Sequence, residues 1–439
     1  MKLLLCNVVL ALTLVAQTSA THAINLAAPA EVLLHVTAAA EGTNWGDAGH
    51  EAAVLRVLVD GMFHQNLVLF AGSTPFRYDV LLGRLPAGAH RISLERDSMQ
   101  SSRSAGATHL AQLATTVVNP GQPEAEAVQH APFLYARPNT IGQYSDIPLL
   151  LWYETRQEGA NTVIQYSVIF TDEDGGTEAS ARVARWGRAA DIEWIYQVTL
   201  DPHHQVVAEI YQGPQHHTHP FIGTHVDAHP LLVDATDNNN VSDRVSELVG
   251  ERPTLRFGMA PFPFDLSHTS REAVMDAHPW SYRIMAEEVT RQGKVSAHPG
   301  IGQGKIADPR NYLYLEASAQ PTDAAMGFLA KFRGDPHWYS SDFGIGYFRI
   351  DRGGYFRSAI QVPPETRWNN LQSLLVTCDA GFNPNLPRDA ARVKKATCGP
   401  FAIDKLFRVD AAYRPRDLEN RLAPQAELRL GETRELLVR

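Results

Sequence analysis

The chain has 439 residues, 44% hydrophobic, 20% charged and 9% aromatic, with a formal net charge of -9. That length accommodates about two to four domains with their own cores, and the balance excludes a wholly disordered, collagen-like or polytopic membrane chain. Mild negative charge also gives no nucleic-acid footprint, which needs clustered positive side chains.

Residues 1–23 predict a cleaved secretory signal peptide. Lys2 gives a basic start, Leu3 to Val15 an apolar run, and Thr18 with Ala20, or Thr21 with Ala23, the small residues of a cleavage site. The apolar run is shorter than the roughly 20 residues that span a bilayer. A secreted or periplasmic location follows, without a transmembrane anchor. Residues 24–122 hold short alternating runs broken by Asp60-Gly61, Ala71-Gly72 and Pro86-Ala87-Gly88, a rhythm that predicts an immunoglobulin-like β-sandwich. The segment 119–127 reads as a linker out of it.

From 131 to 265 the runs at 147–154, 162–171 and 192–200 are apolar on both faces, as strands between two layers are. Ser281, the stripe of Ile284, Met285 and Val289, and Gly293 predict a helix near 281–292. The remainder, 266–439, alternates again, so the whole is mainly β: an N-terminal immunoglobulin-like sandwich, then a larger antiparallel β-sandwich region with few helices. In an oxidising compartment Cys378 and Cys398, 20 apart, most simply form one disulfide, with two free thiols as the alternative.

Seven of the 18 histidines fall between His203 and His229. Imidazoles and carboxylates are ligands for divalent ions. Strand periodicity would converge His217 with His219 and His225 with Asp227, beside Asp191, Glu193 and His229. These seven form the candidate metal set, for calcium or zinc. The opposing reading is a solvated polar loop whose histidines satisfy local hydrogen bonds, since no HExxH or paired-cysteine spacing is present. The segment 171–177 (TDEDGGT) suits a hairpin turn better than a calcium loop, and 234–243 an Asx-rich turn. Asn240-Val241-Ser242 is a glycosylation acceptor pattern. The sequence 300–305 (GIGQGK) misses phosphate-loop spacing, and no GxSxG elbow occurs. Trp194, Trp338 and Tyr339 are the aromatic candidates for stacking on a sugar.

The acidic-Trp strand at 190–200 (ADIEWIYQVTL) and the later segment 229–240 (HPLLVDATDNNN) resemble two β-sandwich groups, the plant vacuolar-sorting-related family and the necrosis-inducing secreted proteins. The resemblance implies a sandwich in which Asp191, Glu193 and His229 hold a divalent cation near Trp194, facing glycolipid heads. The order here is Asp-Ile-Glu-Trp, where the second group has His-Asp-Trp-Glu. Three functions are therefore in play: binding of an extracellular carbohydrate or glycolipid with a divalent cation, a metal- or His-dependent hydrolase or lyase acting on a polysaccharide or ester, and a structural envelope protein.

Overall fold

A computed structural model describes residues 15–16, 19–140, 144–250, 252–300, 302–380, 395–418 and 426–438. The expected signal peptide lies largely outside the described residues; its last residues, from Ser19, run into the strand Ser19–Leu26. Among the described residues strands account for 49% and helical segments for 12%, so the protein is mainly β. Among the described residues no helix is long and apolar enough to cross a membrane.

Two compact units interleave along the sequence. Unit 1 comprises 1–144, 222–233 and 243–261; unit 2 comprises 145–221, 234–242 and 262–439. Unit 1 is built on two four-stranded antiparallel sheets. One runs Val15–Ala16, Thr108–Val118, Ala30–Ala40, Phe76–Leu85, and the other Ser19–Leu26, Gly88–Asp97, Ala53–Val59, Met62–Leu69. Alternation is visible residue by residue: Val32, Leu34, Val36 and Ala38 are buried while Leu33, His35 and Thr37 are less so. Period two places one set on the core face, which is why these runs read correctly as strands. A small third sheet gathers Phe133–Tyr135, His225–Val226, His229–Asp234 and Arg256–Gly258.

Unit 2 holds a six-stranded sheet, in the order His217–Pro220, Val206–Gly213, Asp191–Leu200, Asn161–Phe170, Pro148–Glu158, Phe262–Pro263. Its central strands are buried on both faces over 163–170 and 191–196, apart from Gln165 and the half-buried Trp194, as the continuous apolar runs predicted. A β-bulge shifts the register between Tyr166 and Ser167, opposite Trp194 and Tyr196, just beyond the two acidic residues of that strand. The helix Trp280–Arg291 buries Ile284, Met285 and Val289. Ser281, expected as its cap, sits inside the first turn, and its hydroxyl donates to the His278 carbonyl at 2.8 Å.

A second helix, Ala179–Trp186, is not expected from the sequence: the segment 171–177, read as a hairpin turn, leads into it. It ends at Gly187, whose φ of 61° closes the last turn through a 2.8 Å bond from Gly187 N to Val183 O. A Cβ there would lie 2.5 Å from Arg357 Cγ, so the position needs glycine on two counts.

The last part of unit 2 packs two more sheets around one core. Leu313, Leu315, Met326, Phe328, Phe356, Leu374 and Val376 fill it, together with the disulfide between Cys378 and Cys398. Their Cα atoms are 5.9 Å apart, linking the strand Leu371–Ala380 to Thr397–Val409. Within the loop it closes, residues 381–394 lie outside the described residues. Loop-closure entropy predicts that Cys378→Ala/Cys398→Ala lowers stability by about 2–4 kcal/mol. Urea unfolding with and without reductant measures this, and a midpoint indifferent to both would contradict it.

Candidate functional site

Strand geometry puts Asp191 and Glu193 on one face, and both are buried. Asp191 Oδ1 accepts from Ile192 N at 2.9 Å and lies 3.4 Å from Arg188 Nη1, while Oδ2 accepts from Asn239 Nδ2 at 3.0 Å. The same Asn239 amide donates to Asp172 O at 3.0 Å. Asp172 is fully buried and ion-paired to both Arg182 and Lys294, and Arg182 Nη1 reaches Glu173 Oε2 at 2.9 Å. On the other side Arg188 Nε bonds Glu272 Oε1 at 3.2 Å. A chain of alternating charges thus runs through unit 2.

Burial costs these carboxylates stability wherever pairing is incomplete. It raises Asp191, helped by the charge of Glu193, and raises Glu173 to about 7 against the pull of Arg182. Two Asx and Gly turns meet here. Gly175 N donates to Asp237 O at 2.8 Å, and a Cβ on Gly176 (φ 88°) would fall 2.5 Å from Asn238 Oδ1. The segments 171–177 and 234–240 are therefore in direct contact.

Above this base stands a polar cluster. Glu193 accepts a hydrogen bond from Gln212 Nε2 and lies 3.7 Å from His216 Nδ1. Gln212 Nε2 is 3.0 Å and Asn240 Nδ2 3.3 Å from the same ring nitrogen, and the Asn238 amide is 3.1 Å from Nε2. Glu193, Gln212 and Asn240 are buried, whereas the His216 side chain is 53% exposed, so the cluster opens to solvent through the imidazole. Gln215 and His216 both have left-handed backbones, with φ of 60° and 59°, which turns His216 back over the strand edge. The neighbouring Glu193 carboxylate raises the His216 pKa. Burial pushes Glu193 up, but His216, Arg271 and Gln212 outweigh it and hold the carboxyl below its ordinary range.

The other expected ligands are placed differently. His217 is exposed and His219 half-buried, its ring stacked on Tyr211 at 5.5 Å. These two and the two acids belong to unit 2, while His225, Asp227 and His229 belong to unit 1. Asp227 is exposed in a turn with φ 53°, and His225 is half-buried in a two-residue strand. His229 is fully buried: Nδ1 faces Ala131 O at 2.8 Å, Nε2 faces Glu31 Oε2 at 3.1 Å, and the ring packs edge-on against Phe133. Among the described residues no three His, Cys, Asp or Glu side chains gather as a metal-binding group. Asn240, head of the glycosylation pattern, is buried.

Trp194 is half-buried beside Glu193 in sequence. Trp338, 37% exposed, lies under Lys331 Nζ at 5.9 Å, and Tyr339 donates to Asp335 at 2.6 Å. His216, Gln212, Asn238 and Asn240 were outside the expected ligand set. The strand rule selects i and i+2 neighbours, whereas His216 sits in the turn Pro214–His216 with positive φ. Both ionised partners attract each other until pH rises through the His216 pKa or falls through that of Glu193. Glu193→Gln should therefore let the His216 pKa fall back toward its ordinary value in an NMR titration; an unchanged titration would contradict the pairing.

No family model and no curated protein matches the chain. Among solved structures it is similar to the CBM36-1 domain of a multidomain xylanase from the hindgut metagenome of Trinervitermes trinervoides, at 10% identity and a TM-score of 0.17, covering 24% of this chain and 72% of that one. It is also similar to the C-terminal domain of EclA, a sugar-binding protein, at 14% identity and a TM-score of 0.16, covering 25% and 87%. A third is a family two carbohydrate esterase from Clostridium thermocellum in complex with cellohexaose, at 11% identity and a TM-score of 0.14, covering 27% and 33%.

Proposed function

We propose that the protein works outside the cytoplasm as a binder of extracellular glycan, free or in a glycolipid head, and that the His216 cluster is its binding site. The observation that carries this reading is one exposed imidazole surrounded by one carboxylate and three amides. Sugar hydroxyls both donate and accept, and planar amide, carboxylate and imidazole groups offer both functions at fixed angles. Buried Gln212 and Asn240 hold the exposed ring from beneath, so little side-chain entropy is left to lose on binding.

The Cys378–Cys398 disulfide supports a location in an oxidising compartment, where the signal-like first 23 residues would deliver the chain. The oxygens of Asp191 are engaged by Arg188, Asn239 and the Ile192 amide, which leaves the glycan to be held by the side chains themselves.

The test is a glycan array followed by titration calorimetry on the full chain. His216→Ala and Asn238→Ala should each weaken binding of the selected glycan about tenfold or more while circular dichroism stays unchanged. Absence of any glycan ligand, or full retention of affinity in both variants, would overturn the reading. Loss of binding on chelation would instead restore a divalent cation to the site, and release of cleaved product, abolished by Glu193→Gln, would make the protein a carbohydrate-active enzyme.

A further inference from the structure

The helix Ala179–Trp186 delivers an indole into a nest of arginines. Arg185 Cζ lies 5.0 Å from the Trp186 ring centroid, Arg352 Cζ 5.2 Å and Arg188 Cζ 5.9 Å; Arg185 also stands 5.1 Å from the ring of Tyr347. Arg271 joins them through Glu272, its Nε 3.8 Å from the carboxylate that Arg188 also holds. Arg185 donates to Asp351 Oδ1 at 2.8 Å and to Tyr347 O at 2.7 Å, and Arg352 donates to the Arg185 carbonyl.

Four guanidiniums thus face three carboxylates, Glu272, Asp351 and, through Arg188, Asp191. Indole faces offset part of the repulsion, since a guanidinium over tryptophan is attracted to the ring quadrupole. The offset is incomplete. Arg352 Nη1 and Arg185 Nε are buried donors with no hydrogen-bond acceptor among the described residues. Burial, together with the charges of Arg271, Arg185 and Arg188, pulls Arg352 down to about 9 even though Glu272 acts in the other direction. A site short of negative charge and of acceptors has two ways to be satisfied: water, or an oxyanion. The guanidinium fork matches a planar or tetrahedral oxyanion with two parallel bonds.

Solvent reaches the cluster. Arg271 is 34% exposed and Tyr347 39%, and Trp186 is half-buried. Arg188 Nη1 lies 3.4 Å from Asp191, which shares a strand face with Glu193, so the arginine cluster adjoins the polar site within unit 2.

We propose that Arg185, Arg188, Arg271 and Arg352, gathered around Trp186, form an oxyanion subsite that takes the carboxylate or sulfate group of an acidic sugar, making acidic glycans the substrate class of the His216 site. The proposal rests on the carbohydrate reading of that site.

Titration calorimetry on the full chain tests this with oligogalacturonate, its methyl ester, a sulfated dextran oligomer and sodium sulfate. The free acid should bind about tenfold or more tighter than its ester, and the preference should shrink as salt rises. Arg271→Gln, at a partly exposed position, should collapse that ratio toward one, and Arg271→Lys should restore only part of it, since ammonium lacks the fork. A sulfated oligomer that binds in place of the uronate, with the same Arg271 dependence, would assign the oxyanion as sulfate. Equal affinity for acid and ester in the unaltered protein would overturn the subsite while leaving glycan binding intact. Inorganic sulfate binding that quenches tryptophan fluorescence, with no oligosaccharide bound, would overturn the carbohydrate reading and leave an anion site.

Discussion

Four carboxylates in two short stretches, Asp172 and Glu173, Asp191 and Glu193, are taken out of water in unit 2, and the surrounding structure is arranged to answer their charge. An unpaired buried carboxylate costs several kcal/mol, so each must find a cation or a donor. Arg182 comes from the helix Ala179–Trp186, Arg188 from the turn after it, and Lys294 from just beyond the helix Trp280–Arg291. Asn239 is held with a φ of 50° so that one amide can bridge Asp172 and Asp191. Once these pairs are set, the position of both helices and of the 234–240 turn follows. So does the reach of Trp186 past Gly187 toward the arginine cluster.

The functional consequence is a rigid base under an exposed ring. His216 touches none of the deeply buried cations, yet its amide and carboxylate partners sit on elements that the ion pairs lock. Glu193 stays ionised despite its burial because His216, Arg271 and Gln212 together outweigh desolvation. A surface cluster that pays its ordering cost on folding can bind with less loss of entropy than one assembled on contact with ligand.

Much of the fold was legible in the sequence. Alternation in 31–38 and 90–97, the two-faced apolar runs at 162–171 and 192–200, the helix near 281–292 and the cysteine pair are local patterns, and the structure follows them. The helix Ala179–Trp186 was hidden because its eight residues carry no side-chain cap and follow an Asp-Gly-Gly segment that suits a turn equally well. Interleaving of the two units left no mark either, since a segment that returns to an earlier unit need not differ in composition. Of the histidine concentration, its existence was plain but its geometry was not. His229 is a core residue with both ring nitrogens engaged, whereas His216, in a positive-φ turn, is the ring that meets Glu193. The arginine cluster left no mark in the sequence because its members are spread from 185 to 352 and only the fold brings them to one indole.

Hydrogen exchange on Asp172→Asn tests the central claim most directly. Neutralising that carboxyl unbalances Arg182 and Lys294 and loosens the contact that Asn239 bridges. Amides in both 171–177 and 234–242 should then exchange about tenfold faster or more, together, while those of the core strand Leu371–Ala380 keep their protection. Unchanged protection in both loops, in a protein that remains folded, would contradict the view that the buried ion chain holds the site in place.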